Sequence, residues 1–187
     1  GSAGFGRTVG AVLTDLNENG CAYVPALEQD QRGLLWEKGC GILAADGLRG
    51  WLFGAEARGM KLLTGGGTGD VIELAGGRAA EIAGVRTGLT WEEDSRTIVV
   101  RCRIALRLTE GGAGLAQEER EALLRQIETL EEERIGGTLR TLSNLGSDCL
   151  GLGRRLRAEH PFRTGGKDVF SNSMLRGAVQ AVWEPSG

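Results

Sequence analysis

Histidine, tyrosine and proline are scarce in this chain of 187 residues, which holds one, one and three of them, and each shortage closes a route. A single histidine, His160, leaves no second imidazole for a metal cluster. Cys21, Cys40, Cys102 and Cys149 lie too far apart along the chain for the paired short spacings of a zinc site. No metal and no cofactor is therefore expected. Charge of one sign is also missing: 22 basic residues against 25 acidic ones give a formal charge of −3, without the basic footprint of a nucleic-acid binder. No run of about 20 apolar residues is present to cross a bilayer as a helix. The opening Gly1-Ser2 has no charged-then-apolar leader behind it and reads as an expression scar, so the native address is not written here.

Glycine is abundant, 32 residues where average usage of about 7% would give roughly 13. The glycines follow no collagen-like period, and Val, Ile and Leu recur in patterned runs between them, so a folded core is expected. Residues 1–8 read as a tag or linker. Val9, Val12, Leu13 and Leu16 fit a short helix that ends before Asn19-Gly20. Cys21 to Leu27 and Leu34 to Ala44 read as strands, and Asp46-Gly47 is a hairpin signal before Leu48 to Phe53. Ala55 to Leu63 suits a helix, Val71 to Leu74 a short strand, and Ala79 to Trp91 a strand that alternates in its second half through Val85, Thr87, Leu89 and Trp91. The alternation is clearest over Thr97 to Leu108: Ile98, Val100, Cys102, Ile104, Leu106 and Leu108 share one face, while Arg101, Arg103 and Arg107 lie on the other. Glu92-Glu93-Asp94-Ser95 supplies the turn that makes these two strands antiparallel neighbours. After a break at Gly111-Gly112, Gln117 to Leu145 is a helix with Leu124, Ile127, Ile135, Leu139, Leu142 and Leu145 on one stripe, kinked at Gly136-Gly137. A second helix and a closing strand, Met174 to Trp183, follow. Strands, then two helices, then a strand predict an α+β domain: a largely antiparallel β-sheet with two C-terminal helices packed on one face.

Few residues invite chemistry. The loop from Gly65 to Asp70 is glycine-rich enough to cradle a phosphate, yet no Lys-Ser or Lys-Thr follows and no long helix opens from it. His160 has no nucleophile placed beside it and reads as a helix-end residue. Glu131, Glu132 and Glu133 on the long helix, and Arg154, Arg155 and Arg157 on the next, read as solvated faces; the arginines also suit an acidic partner or an anionic lipid surface. Trp36, Trp51, Trp91 and Trp183 fall on strands as packing residues, with room for one of them at an interface. No catalytic residue is assigned.

The most informative stretch runs from Asp148 to Pro161. Asp148 can accept from a free N–H of a first helical turn, Pro161 stops the helix at His160, and Cys149, Leu152 and Leu156 form an apolar stripe. Gly151 and Gly153 sit inside it at a cost of about 1 kcal/mol each, which a close-lying neighbour would offset. This segment, Asp148-Cys-Leu-Gly-Leu-Gly153 with its continuation to Pro161, resembles the Asp-Ile-Phe-Gly-Phe-Gly…Tyr-Pro signature of the C subunits of bacterial spore germinant receptors, the Ger(x)C family. The hairpin from Gly39 to Leu52, the Arg58 to Leu63 run, and Asp168-Val-Phe170 with the strand after it resemble further family stretches in the matching order. His160 stands where the family commonly has Tyr, and Phe162 to Lys167 is shorter than the lysine-rich, Trp-containing helical segment usual there.

The resemblance implies the C-terminal part of a receptor ectodomain, over 39–187, preceded by a segment or domain remnant over 9–38. It implies a non-catalytic subunit of a lipoprotein anchored at the outer side of the spore inner membrane, its lipid-bearing cysteine lying outside this chain. Its partners would be the receptor's membrane-spanning A subunit and transporter-like B subunit, with no nucleic acid. The residues add a docking hypothesis in which Arg101, Arg103 and Arg107, or Arg154, Arg155 and Arg157, face another subunit. The alternative is a domain that binds the small-molecule germinant itself, captured between sheet and helices.

Overall fold

The computed structural model describes residues 5–110, 115–160 and 168–184, so the expected glycine break at 111–112 and the stretch from Pro161 to Lys167 lie outside the described residues. Helix α1 (Val9–Asn19) starts where the Thr8 hydroxyl accepts from the Ala11 N–H at 3.1 Å and stops at Gly20, whose φ of 73° suits a residue without a Cβ. Strands β1 (Cys21–Gln29), β2 (Leu35–Ala44) and β3 (Gly47–Phe53) form an antiparallel three-stranded sheet in sequence order. Helix α2 (Gly54–Leu63) leads to a second sheet, of order β4-β5-β6-β7, from β4 (Val71–Leu74), β5 (Arg78–Glu92), β6 (Thr97–Glu110) and β7 (Met174–Trp183). Between β6 and β7 come α3 (Gln117–Asn144) and α4 (Leu152–Glu159).

The α+β architecture expected from the element order is present. Its strands divide into two sheets, and the closing strand β7 pairs with β6 in parallel, Thr97 opposite Met174 through Leu106 opposite Trp183. Parallel neighbours need a crossover between them, and α3 with α4 is that crossover. The antiparallel pairing of β5 with β6 follows the expected turn, and Ile98, Val100, Cys102, Ile104 and Leu106 are all buried on the inner face of β6. On α3 the inward stripe passes through Leu123, Ile127, Glu131, Ile135, Leu139 and Leu142; Leu124 is only half-buried, and the helix continues unbroken through Gly136-Gly137. Its backbone hydrogen bonds run across that pair, so two glycines lower propensity without forcing a kink.

The N-terminal boundaries also differ from expectation. From Phe5 onward the supposed linker is engaged: Phe5 is buried, its N–H donates to the Glu37 carboxylate at 2.6 Å, and Arg7 pairs with Asp15 at 2.5 Å. An aromatic ring removed from water by the core outweighs the freedom its glycine neighbours would otherwise keep. The boundary expected between 38 and 39 falls inside β2, whose whole length pairs with β1.

Helix α3 is fixed to β7 by a repeated contact. Glu132 accepts from the Val179 N–H and Glu128 from the Ala181 N–H, each at 2.9 Å, and the Trp183 indole N–H donates to the Arg120 carbonyl at 3.2 Å. Four helical residues advance about 6.0 Å and two strand residues about 6.6 Å, so glutamates four apart meet alternate amides of a strand. At the other end of the seam a Cβ on Gly177 would lie 2.4 Å from Ile135 Cγ2, so the helix can lie this close only against a glycine. Gly177→Ala is expected to cost about 1–3 kcal/mol through overpacking, and Glu132→Ala about 1–2 kcal/mol by orphaning the Val179 N–H. Thermal unfolding of both variants, read beside Glu133→Ala on the exposed face, checks this; equal melting temperatures for all three would contradict it.

Candidate functional site

Three parts of the molecule carry polar or exposed features strong enough to be functional: the Asp148 turn, the outer face of β5-β6-β7, and the outer face of the β3 hairpin. Asp148 does cap a helix, but a shorter one than its sequence suggests. Its two carboxylate oxygens accept from Leu152 N–H at 2.7 Å and Gly153 N–H at 2.8 Å. Gly151 stands outside the helix as its N-cap residue, at a φ of 64° that L side chains rarely adopt. Gly153 is inside, and there the close neighbour is real: an added Cβ would be 3.3 Å from the Phe170 backbone nitrogen. Burial pushes the Asp148 carboxyl up to about 6, opposed by the two backbone N–H donors and by Arg157 and Arg154. Bonded to both amides, it holds the turn together.

The other buried titratable groups are likewise spent on structure. Glu131, expected on a solvated face, is 2% exposed and ion-paired with Arg134, while burial raises its carboxyl above the usual range. Glu132 of the same run reaches the edge of β7. The adjoining cavity, bordered by Arg58, Asp70 and Arg134, measures only about 10 Å³ and admits no substrate. All four cysteines are free and buried, and burial pushes the thiols of Cys21 up to about 11 and of Cys40 and Cys102 up to about 12. Such thiols present almost no thiolate near neutral pH. In the glycine loop Gly65, Gly66, Gly69 and Asp70 spend their amides internally, Gly66 N–H on the Lys61 carbonyl at 2.8 Å and Gly69 N–H on the Ile82 carbonyl at 2.8 Å.

Of the arginines singled out by sequence, Arg101, Arg103 and Arg107 project from the outer face of β6 as the alternation required. Arg107 is paired with Glu184 at 2.7 Å. Arg154 is tied to α1, to Glu18 at 2.9 Å and to Asn19 at 3.1 Å; Arg155 and Arg157 are half-buried on α4. The two sets are not brought together. Arg86, which sequence reasoning passed over, faces Arg103 directly across the β5–β6 ladder. Its position on the even-numbered side of β5 was the available signal.

The third feature is apolar. Trp51 and Phe53 stack with ring centroids 5.8 Å apart on β3, 48% and 42% exposed, and Leu48 beside them is 50% exposed. Gly39 and Gly41 lie buried beneath the rings, and a Cβ on Gly41 would come within 2.9 Å of the Trp51 indole. The glycines of β2 thus let two aromatic rings lie flat on the sheet. Trp36, 50% exposed, adds to the apolar end of the same sheet with Leu34 and Leu35, whereas Trp91 and Trp183 pack against the core.

A family model described as spore germination B3/GerAC-like, C-terminal, matches residues 38–173. The chain belongs to that family. The crystal structure of the GerBC protein superposes with a TM-score of 0.77 at 17% sequence identity, over 96% of this chain and 61% of that one, so the two share a fold and this chain spans about 61% of the length of its relative. No curated protein matches the chain. Membership of a spore-germination family is therefore the setting in which these surfaces are to be read. Among the described residues no helix is long and apolar enough to cross a membrane.

The capping carboxylate sets a pH dependence. Because Asp148 is raised in the folded chain above its unfolded value, the folded state holds its proton more tightly, and the stability associated with this residue falls as pH rises from about 4 through about 6. Asp148→Asn keeps an acceptor and removes the titration. The difference in unfolding free energy between wild type and this variant should therefore shift against wild type as pH rises across that interval; a difference that is flat, or moves the other way, in denaturant titrations would contradict the assignment.

Proposed function

We propose that this domain acts without catalysis, as part of the ectodomain of a membrane-anchored germinant-receptor subunit that works in nutrient-triggered germination through contacts with the receptor's A and B subunits. Its place is the outer side of the spore inner membrane, held there by a lipid anchor. The observation that carries the reading is the uncovered face formed by Leu48, Trp51 and Phe53. Three large apolar side chains side by side, each between 42% and 50% exposed, are what an interface anchor looks like before its partner arrives. Family membership supports another receptor subunit as that partner.

The alternative, capture of a small germinant by this domain, has less support. Small-molecule sites enclose most of their ligand, whereas the larger depressions here lie open on the surface. A ligand that worked through assembly would bias subunit contacts by binding one arrangement better than another. The test is a Trp51→Ser, Phe53→Ser double variant in the whole subunit. Removal of exposed rings should leave the melting temperature of the domain within about 2 °C. Co-purification with the A and B subunits from spores and the germination response to nutrient should both fall at least tenfold. Full assembly and response in a folded double variant would overturn the proposal, and a melting-temperature shift with a nutrient panel on the isolated domain would favour the small-ligand alternative.

A further inference from the structure

The outer face of the four-stranded sheet can be followed row by row across β5, β6 and β7. At one end Arg107 lies opposite Glu81 and is paired with Glu184; at the other Arg176 is paired with Glu92. Both ends are thus neutralised. Of the three rows between, that of Gly84, Ala105 and Val182 carries no charge; in the other two Arg86 lies opposite Arg103 and then Gln180, and Gly88 lies opposite Arg101 and then Ala178. Among the described residues neither Arg86 nor Arg103 has an ion pair, and Arg101 is held only by the Thr90 hydroxyl at 3.1 Å. Small side chains at Gly88 and Ala178 leave a trough of about 480 Å³ over this centre, and nothing lies within 4 Å of where a Gly88 Cβ would stand.

Like charges directly opposite on neighbouring strands destabilise a sheet, and here the two guanidiniums face each other with no acid between them although acids stand at both ends. We propose that this trough is a docking site for an extended acidic segment of a protein partner, whose carboxylates enter between Arg86 and Arg103 and beside Arg101. Arg101 and Arg103 are two residues apart on one strand, about 6.6 Å, which is also the spacing of alternate side chains in an extended peptide. Two acidic residues at positions i and i+2 of such a segment therefore meet both arginines. Guanidinium forks favour carboxylates in paired hydrogen bonds. The charge layout selects a short segment over a membrane surface: a plane of anionic headgroups laid on this face would also meet Glu81, Glu184 and Glu92 at the rims, whereas a peptide with its acids in the middle meets only the unneutralised centre.

The inference deepens the assembly role proposed above and rests on it, but the two fail separately, because a peptide titration reads the trough alone and co-purification through the apolar face reads the subunit role. The probe is a blocked Gly-Glu-Ser-Glu-Gly peptide titrated into the isotope-labelled chain at low salt, with its Gln-for-Glu analogue as control. Amide shifts should centre on Arg86, Gly88 and Arg103, the Gln analogue should bind at least tenfold more weakly, and Arg86→Gln with Arg103→Gln should weaken the acidic peptide at least tenfold. Arg107→Gln should bind as wild type does. Removing the opposed charge should raise the melting temperature of Arg86→Gln by about 1–2 °C, a gain that a purely structural arginine would not give. Equal binding of both peptides, equal loss in Arg107→Gln, a lowered melting temperature in Arg86→Gln, or sedimentation with phosphatidylglycerol vesicles that disappears in the Arg86→Gln, Arg103→Gln variant would each overturn the proposal.

Discussion

An edge strand must dispose of its outward backbone amides, and in this domain the disposal of those on β7 organises everything around it. Val179 and Ala181 offer N–H groups that no further strand receives; Glu132 and Glu128 receive them from a helix instead. A covered edge does not recruit a foreign strand. The same contact sets the height of α3 above the sheet, which is why Gly177 meets Ile135 and why Trp183 can reach the Arg120 carbonyl. With α3 placed, the other side of that helix receives α2, where the Thr138 hydroxyl donates to the Glu56 carbonyl at 2.8 Å and the Thr141 hydroxyl to the Glu56 carboxylate at 2.7 Å. The crossover helix is the part to which sheet and hairpin are both attached.

Once that frame is closed, the titratable groups in its interior have no work left over. Asp148 holds a turn, Glu131 answers Arg134, and the four thiols are packed as small apolar groups. What faces outward is of two kinds, flat aromatic surface on β3 and unneutralised cationic surface at the centre of β5-β6. These are the chemistries by which proteins hold one another: apolar anchors for affinity, and charge for orientation and choice of partner. The division between a structurally exhausted interior and two distinct exteriors is the physical content behind reading the domain as an assembly part.

Much of this was legible in the order of residues. Alternation over Thr97 to Leu108 fixed the inner and outer faces of β6, Asp46-Gly47 marked the β2–β3 hairpin, and Asn19-Gly20 marked a helix end, because each is a local signal with a local cause. The family resemblance of the Asp148 stretch held, and the family matched over residues 38–173. Long-range geometry was the part that local patterns do not encode. Nothing in Met174 to Trp183 says that the strand runs parallel to β6, nor that Glu128 and Glu132 would turn from water to its amides. Gly39 and Gly41 gave no hint of rings lying above them, since that contact joins two strands. Gly151 follows a capping aspartate and so has the spacing of a helical residue, yet the Asp148 cap reaches across this left-handed position to the turn beyond. Phe5 was hidden among glycines, whose local flexibility outvoted one ring that the core then claimed.

If the aromatic face of β3 is where this domain is held, its side chains lose their water when the receptor assembles. Hydroxyl-radical footprinting of the intact receptor in spore membranes, compared with the domain alone, reads that loss residue by residue. Oxidation of Trp51 and Phe53 should drop severalfold on assembly while that of the core-packed Trp91 and Trp183 stays unchanged; equal oxidation of Trp51 and Phe53 in both states would contradict the account.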